Sequence, residues 1–341
     1  MPETLIEVKN LKIHFFTDEG VVRAVDGADL TIRRGKTLAL VGESGCGKSV
    51  ACRSLLQIVH SPGRIVSGQI LLEREGGSGT VDIARLPSRG REIRAIRGKD
   101  ISMIFQEPMS SLSPMYTVGN QISENILLHT RMSAREARAL TVDLLGRVGI
   151  PKPERLVDEY PFRLSGGMCQ RAMIAMALSC HPTLLIADEP TTALDVTTQA
   201  NILDMMLDLQ RQENMTLLFI THDLGVVAEI ADDVAVMYLG KIVEASDADT
   251  VFNDPRHPYT QSLLQSIPKI TAKREELVPI KGIVPSPYRR PDGCPFHPRC
   301  PKAFAECRTV VPAVTGLSEN HSVQCLLFED LAGRKAAEPI R

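Results

Sequence analysis

The sequence predicts an α/β fold organised around a parallel sheet, and three observations lead there. Short apolar runs recur at Leu38–Val41, Ile101–Phe105, Leu184–Ala187 and Leu217–Ile220, the second interrupted only by Ser102. Such runs suit strands buried on both faces. Stretches of helical periodicity lie between them, from Lys48 to about Val59 and across residues 117–160. A glycine-rich loop, Gly42-Glu-Ser-Gly-Cys-Gly-Lys48-Ser49, joins the first of these strands to the first of these helices. Strands that alternate with helices imply layers packed on a sheet.

Taken in order, Leu5–Phe16 reads as an early strand and Ala28–Arg33 as a second, closed by a turn at Gly35. The helix that begins at Lys48 stops before Ser61-Pro-Gly, because proline cannot continue it. Gly76-Gly-Ser-Gly79 reads as a hairpin-like loop. The run Arg85–Lys99 holds six basic residues and one acidic, and reads as a solvated face. From about Pro255 prolines become dense and periodicity fades, which puts a domain boundary between Asp254 and Ile283. The division expected is a first domain over residues 1–254 and an extension over 255–341.

Composition excludes some classes of function. The 341 residues carry 39 basic and 41 acidic side chains, so bulk charge makes no case for nucleic-acid binding. No apolar stretch is long enough to span a membrane, and the first residues lack the features of a secretory signal. The chain is therefore expected in the cytosol. Of eight cysteines, Cys46, Cys52, Cys169 and Cys180 are scattered, while Cys294, Cys300, Cys307 and Cys325 crowd together near the end. In a reducing compartment such a group suits a metal site better than disulfides.

The loop Gly42–Ser49 fits G-x-x-x-x-G-K-[ST] in its proper place between strand and helix. The backbone N–H groups of Gly42, Ser44, Gly45, Cys46 and Gly47 can curl around phosphates, aided by the helix N-terminus. Lys48 is suited to the β- and γ-phosphates of ATP and the Ser49 hydroxyl to Mg²⁺. Cys46 reads as a small loop residue and not a nucleophile. A second motif, Leu184-Leu-Ile-Ala-Asp188-Glu189, delivers two carboxylates at a strand's C-terminal end, where ligands of open α/β sheets collect. Neighbours on a strand point to opposite sides, so the two divide the work. Asp188 holds Mg²⁺ and Glu189 polarises the attacking water.

A third motif, Leu164-Ser-Gly-Gly-Met-Cys-Gln170, opens a further helix and resembles the signature sequence of ABC proteins. The resemblance covers about residues 5–250. It implies a P-loop NTPase fold of the ABC type, with a RecA-like core, an antiparallel β subdomain and a helical subdomain over about residues 107–175. It also implies that Leu164, Ser165, Gly166, Gly167 and Gln170 face ATP held by an opposite subunit. Gln106 then resembles the glutamine that senses Mg²⁺, Asp195 in Ala193-Leu-Asp195 the D-loop aspartate, and His222 the histidine on the γ-phosphate. Phe15 is the expected adenine-stacking aromatic, with Phe16 as its neighbour and rival. Cys169 departs from related signatures, which often carry a basic residue there, and little effect is expected of it.

The tail narrows the family. His257-Pro-Tyr-Thr-Gln-Ser-Leu-Leu-Gln-Ser-Ile-Pro268 and Gly293-Cys-Pro-Phe-His-Pro-Arg-Cys300-Pro resemble the C-terminal extension of oligopeptide/dipeptide importer ATPases. Tyr259, Leu263 and Leu264 share one helical face, suited to docking. The cysteine spacing C-x5-C-x6-C-x17-C lacks paired C-x2-C knuckles, and four thiolates suit zinc or a [4Fe–4S] cluster. The resemblance implies the cluster, on Cys294, Cys300, Cys307 and Cys325, in a small Cys-rich C-terminal domain. His297 and His321 are near enough in sequence to replace a thiolate.

The reading is an ATPase subunit that powers import of di- or oligopeptides from the cytoplasmic face of a bacterial inner membrane. A related second ATPase, two permease subunits and an extracytoplasmic binding protein are the implied partners, with a homodimer as the alternative. An importer of oligosaccharides or other small solutes is the rival within transport. A soluble ABC ATPase acting on nucleic acid or ribosomes is the rival outside it.

Overall fold

The computed structural model describes residues 3–74, 79–107, 111–192, 195–266 and 280–329, the side chain of Val196 excepted. The expected hairpin loop at Gly76–Gly79 falls almost wholly outside them, as do Ala193 and Leu194. The chain divides into two compact units, one of Ile32–Thr37 and Leu86–Ile220 with the first three residues, the other of Thr4–Thr31, Leu38–Arg85 and Thr221–Arg341.

The second unit carries the phosphate loop and two sheets. In the antiparallel sheet, Thr4–Thr17 lies between Gly20–Arg33 and Gly63–Glu73, with Thr80–Asp82 at the edge. Period-2 alternation sends Ile6, Val8, Ile70 and Leu72 to a common buried side, and their register follows, with Ile6 opposite Leu72 and Val8 opposite Ile70. In the other sheet Leu38–Val41 runs parallel to Asp233–Tyr238, which pairs antiparallel with Lys241–Asp247. The two-residue strand Ser322–Val323 from the tail then pairs with Glu244 and Ala245.

The helix after the loop is shorter than its periodicity suggests. It covers Lys48–Ser54, and Gln57 soon adopts a left-handed backbone at φ 52° that no helix can continue. The Gln57 amide instead donates to the Ile83 carbonyl at 2.7 Å.

In the first unit three strands, Ile101–Ile104, Leu184–Asp188 and Thr216–Ile220, pair in parallel and are buried throughout. The helices Val118–His129 and Ala134–Arg147 pack together and bury Ile122, Ile126, Ala137, Leu144 and Leu145 at helical spacing. Ser133 and Glu136 close a reciprocal capping box on the second helix. The basic run contributes a helix, Arg91–Ile96, whose Ile93 and Ile96 are fully buried. Its charged positions Arg91, Glu92 and Arg94 are solvated.

The tail is built into the second unit's core. Tyr259, Phe296, Cys294, Cys307 and Leu326 join one apolar cluster with Val41, Val236 and Tyr238. The helix Pro258–Gln265 docks there as its pattern suggests, with Leu263 and Leu264 packed against the cluster. Glu244, only 1% exposed, accepts the N–H groups of Arg256 at 2.6 Å and His257 at 2.9 Å, and His321 lies 2.9 Å from it. His257 is fully buried, and its Nδ1 accepts the Tyr259 N–H at 3.0 Å. Burial pushes its pKa from 6.5 down to about 3.

An unfolded histidine takes up a proton below 6.5, whereas folded His257 resists until about 3. Unfolding is thus coupled to proton uptake, and stability present above 6.5 is lost as the pH falls toward 3. Differential scanning calorimetry should show a falling transition temperature through that window. His257→Asn, which keeps a capping acceptor but no titration, should flatten the dependence. An unchanged slope in that variant would remove His257 as the source.

Candidate functional site

The phosphate loop is shaped by its neighbours in the same unit. Gly42 sits at φ 148°, and a Cβ there would come within 2.2 Å of the Met237 carbonyl oxygen. Gly47, at φ 109°, would bring a Cβ within 2.3 Å of the Ala24 carbonyl oxygen. Only glycine meets both demands. The Cys46 carbonyl accepts the Gly240 N–H at 2.7 Å, and the Ala51 N–H reaches the Gly47 carbonyl at 2.9 Å to open the helix.

Lys48 is buried, and its Nζ donates to the carbonyls of Gly42 at 2.7 Å and Glu43 at 3.1 Å. Ser44 and Gly45 are exposed and Ser49 half-buried. Cys46 is 2% exposed, and desolvation raises its thiol pKa despite the opposing pull of Lys48. A protonated thiol is a poor nucleophile, in keeping with its reading as a loop residue.

Phe15 packs its edge where a Cβ on Gly63 would fall, 2.6 Å away, while Phe16 is 40% exposed. The Arg64 guanidinium lies 4.2 Å over the Phe16 ring. His222 is exposed just before the helix Leu224–Ile230, whose first N–H groups are capped by Asp223.

The other unit gathers the carboxylate residues. Asp188 ends its strand fully buried. Glu189 then adopts φ 47°, a left-handed backbone that a non-glycine residue occupies only when its surroundings impose it. Its N–H donates to the Ile220 carbonyl at 2.9 Å. Its Oε2 accepts Gln106 Nε2 at 2.9 Å and Thr192 Oγ1 at 3.0 Å. Two residues read from separate motifs are thus in direct contact. Thr192 went unnoticed in sequence, although it stands three places after Glu189.

Ser165 caps the helix Gly166–Leu178, its Oγ accepting the Met168 N–H at 3.3 Å. Ser165 and Gly166 are exposed and Gly167 is half-buried, so this helix end is open to an external group. Leu164 and Gln170 point inward, and the Gln170 amide donates to the Pro190 carbonyl at 2.5 Å. Cys169 is fully buried, and its thiol reaches the Pro161 carbonyl at 3.4 Å. It therefore faces the core. Asp195 caps the helix Val196–Glu213, and the Thr198 hydroxyl and N–H hold its carboxyl below the usual range.

In the tail all four clustered cysteines are free thiols. The Cys294 N–H donates to the Cys307 carbonyl at 2.9 Å. Burial pushes the Cys294 thiol up to about 11 and the Cys325 thiol up to about 12, and the neighbouring cysteines add to both shifts. The thiols are therefore near enough to feel one another's charge. Among the described residues, no three His, Cys, Asp or Glu side chains converge as a seat for a single metal ion. Neither histidine takes a thiol's place, since His321 faces Glu244 and His297 Nδ1 lies 2.9 Å from the Cys294 carbonyl.

Comparison with known proteins places this geometry. The ABC transporter family model matches residues 25–192, and the model for the C-terminal region of oligopeptide/dipeptide transporters matches residues 243–307. The chain is 50% identical over 328 residues to the oligopeptide transport ATP-binding protein AppD of Bacillus subtilis, covering 96% of this chain and 98% of that protein. It is 46% identical over 330 residues to the dipeptide transport ATP-binding protein DppD of Escherichia coli, covering 97% and 98%. A bacterial ABC transporter cassette solved as a dimer superposes with a TM-score of 0.63 at 25% identity, covering 72% of this chain and 99% of that one.

The close approach at Gly42 yields a sharp expectation. Gly42→Ala must push the loop away from Met237, and ATP affinity should fall by at least about tenfold. Titration with a fluorescent ATP analogue measures this, and wild-type affinity in a folded variant would mean that the loop can relax.

Proposed function

The chain belongs to the family of ABC transporter ATP-binding proteins of the oligopeptide/dipeptide type, and we propose residue roles by which it powers peptide import. It binds and hydrolyses ATP, with Mg²⁺, as the motor subunit of a transporter. The match to the oligopeptide/dipeptide C-terminal region favours peptides over oligosaccharides as cargo, and the near-neutral charge disfavours the nucleic-acid reading.

The donor set suits the nucleotide: an ammonium and inward N–H groups for phosphate, and hydroxyl, carboxylate and amide oxygens for a hard cation. Lys48 and the N–H groups of Gly45, Cys46, Gly47 and Ser49 neutralise and orient the phosphates. Ser49, Asp188 and Gln106 hold Mg²⁺, which when bound draws charge from the phosphate oxygens. Glu189 takes the proton of the attacking water, and His222 steadies the γ-phosphate. Phe15 stacks on adenine, since Arg64 already covers one face of Phe16. Ser165, Gly166 and Gly167 act on the nucleotide of a partner subunit, with Asp195 brought toward them by Thr198, which it caps and which lies beside Gly167. The observation that carries this reading is the 2.9 Å bond from Gln106 to Glu189, because it ties the proposed cation sensor to the proposed base.

An ATPase of this kind works as a dimer with permease subunits and a substrate-binding protein. A second, related ATPase as the dimer partner is our specific proposal, as is residence at the cytoplasmic face of a bacterial inner membrane. No helix among the described residues is long and apolar enough to cross a membrane. The division at residues 254 and 255 is proposed as a functional boundary only, since the tail packs into the core of the second unit.

Cys294, Cys300, Cys307 and Cys325 are proposed to hold a [4Fe–4S] cluster with a structural role. Four clustered free thiols, with Cys294, Cys300 and Cys307 each acting on the Cys325 thiol, support it, and a cubane spreads its ligands more widely than a single ion does. Loading has to displace the protons that burial keeps on Cys294 and Cys325.

Two measurements test these roles. Glu189→Gln should keep ATP binding, lower turnover by about a hundredfold or more, and accumulate a closed dimer on gel filtration. Near-normal hydrolysis would refute Glu189 as the base. Protein purified without air should be coloured and carry iron and sulfide in cluster stoichiometry, whereas a colourless sample with stoichiometric zinc would exclude the cluster.

A further inference from the structure

The phosphate loop contains an acidic residue, Glu43, inside a site whose task is to attract anions. A carboxylate there repels phosphate unless its charge is cancelled. Arg299 does so with a two-pronged contact, Nη1 to Oε2 at 2.6 Å and Nη2 to Oε1 at 3.0 Å. The arginine side chain is 3% exposed, and its Nε donates to the Lys281 carbonyl at 3.1 Å, so its fork is aimed before any ligand arrives.

The same residue is held by its backbone. The Glu43 N–H donates to the Tyr259 hydroxyl at 2.9 Å. The Glu43 carbonyl accepts Lys48 Nζ at 3.1 Å and the Cys46 N–H at 3.3 Å. Tyr259 has no freedom to shift, being fully buried with its ring 4.6 Å from that of Tyr238 and 5.3 Å from that of Phe296. These contacts set which way the peptides on either side of Glu43 face. A flipped peptide would turn a carbonyl dipole toward the phosphates and deprive Lys48 of its resting acceptor.

We propose that Tyr259 and Arg299, both from the C-terminal segment, are positioning residues for ATP binding: Tyr259 orients the Glu43 peptide and Arg299 cancels the Glu43 charge. The tail thereby tunes nucleotide affinity at the phosphate loop of its own subunit. The inference rests on the reading of Gly42–Ser49 as the ATP phosphate loop.

The test is titration of the full-length chain with trinitrophenyl-ATP, with thermal unfolding monitored in parallel. Arg299→Ala should weaken binding by about tenfold, and Glu43→Gln placed in that background should restore most of it, because no stray carboxylate then remains. A merely structural role for Arg299 predicts no such rescue. Tyr259→Phe keeps the ring and loses only the acceptor, and should weaken binding by about threefold. It carries the test if Arg299→Ala does not fold. Wild-type affinity in folded Arg299→Ala or Tyr259→Phe, or absence of rescue by Glu43→Gln, overturns the proposal. Lys48→Ala separates the two readings: binding that survives it refutes the phosphate-loop assignment itself.

Discussion

Two carbonyl oxygens, those of Met237 and Ala24, leave no room for a side chain at Gly42 and Gly47, and the shape of the phosphate loop depends on that crowding. The strand Asp233–Tyr238 has to lie against Leu38–Val41 for the Met237 oxygen to stand where it does. The Gly240 N–H, just past that strand, then holds the Cys46 carbonyl from the same direction. A loop pressed this closely has its backbone fixed by its neighbours, and the proposed anion binding rests on that backbone before any side chain is considered. Lys48 adds a charge held in place by the Gly42 and Glu43 carbonyls.

The tail is held to this unit by a different kind of interaction. Glu244 is a buried carboxylate, which is costly unless it is well satisfied. It finds two backbone N–H groups at the start of the helix Pro258–Gln265 and a histidine from the far end of the tail. Those bonds tie two stretches of the tail, one near residue 256 and one at His321, to a single strand. The aromatic cluster of Tyr238, Tyr259 and Phe296 then fills the space beneath the phosphate loop with rings 4.6–5.3 Å apart. The tail is thus part of the core that backs the loop, and a local function for it at the nucleotide is physically natural.

Much of the fold was legible because burial leaves a pattern. The strands at Leu38, Ile101, Leu184 and Leu217 read correctly as short apolar runs, and the capped helices between residues 117 and 160 read correctly as periodic ones. The strands Gly63–Glu73 and Lys241–Asp247 escaped, since each mixes charged and apolar positions and takes its form from pairing with a distant strand. The basic run showed its charges but hid Ile93 and Ile96, which anchor a helix. The inward turn of Gln170 was also invisible, because its acceptor, the Pro190 carbonyl, belongs to a separate segment.

The sequence alone determined the chemistry that is local in the chain. The phosphate loop, the paired carboxylates Asp188 and Glu189 and the serine–glycine helix start each occupy a few contiguous residues, whose types and spacing carry the motif without any distant partner being known. The tertiary structure alone decided what stands next to them. Gln106 meets Glu189 across 83 positions, and Arg299 meets Glu43 across 256. No local propensity encodes such pairs, since each is made only when strands and helices have packed and the alternatives for a buried charge have been removed.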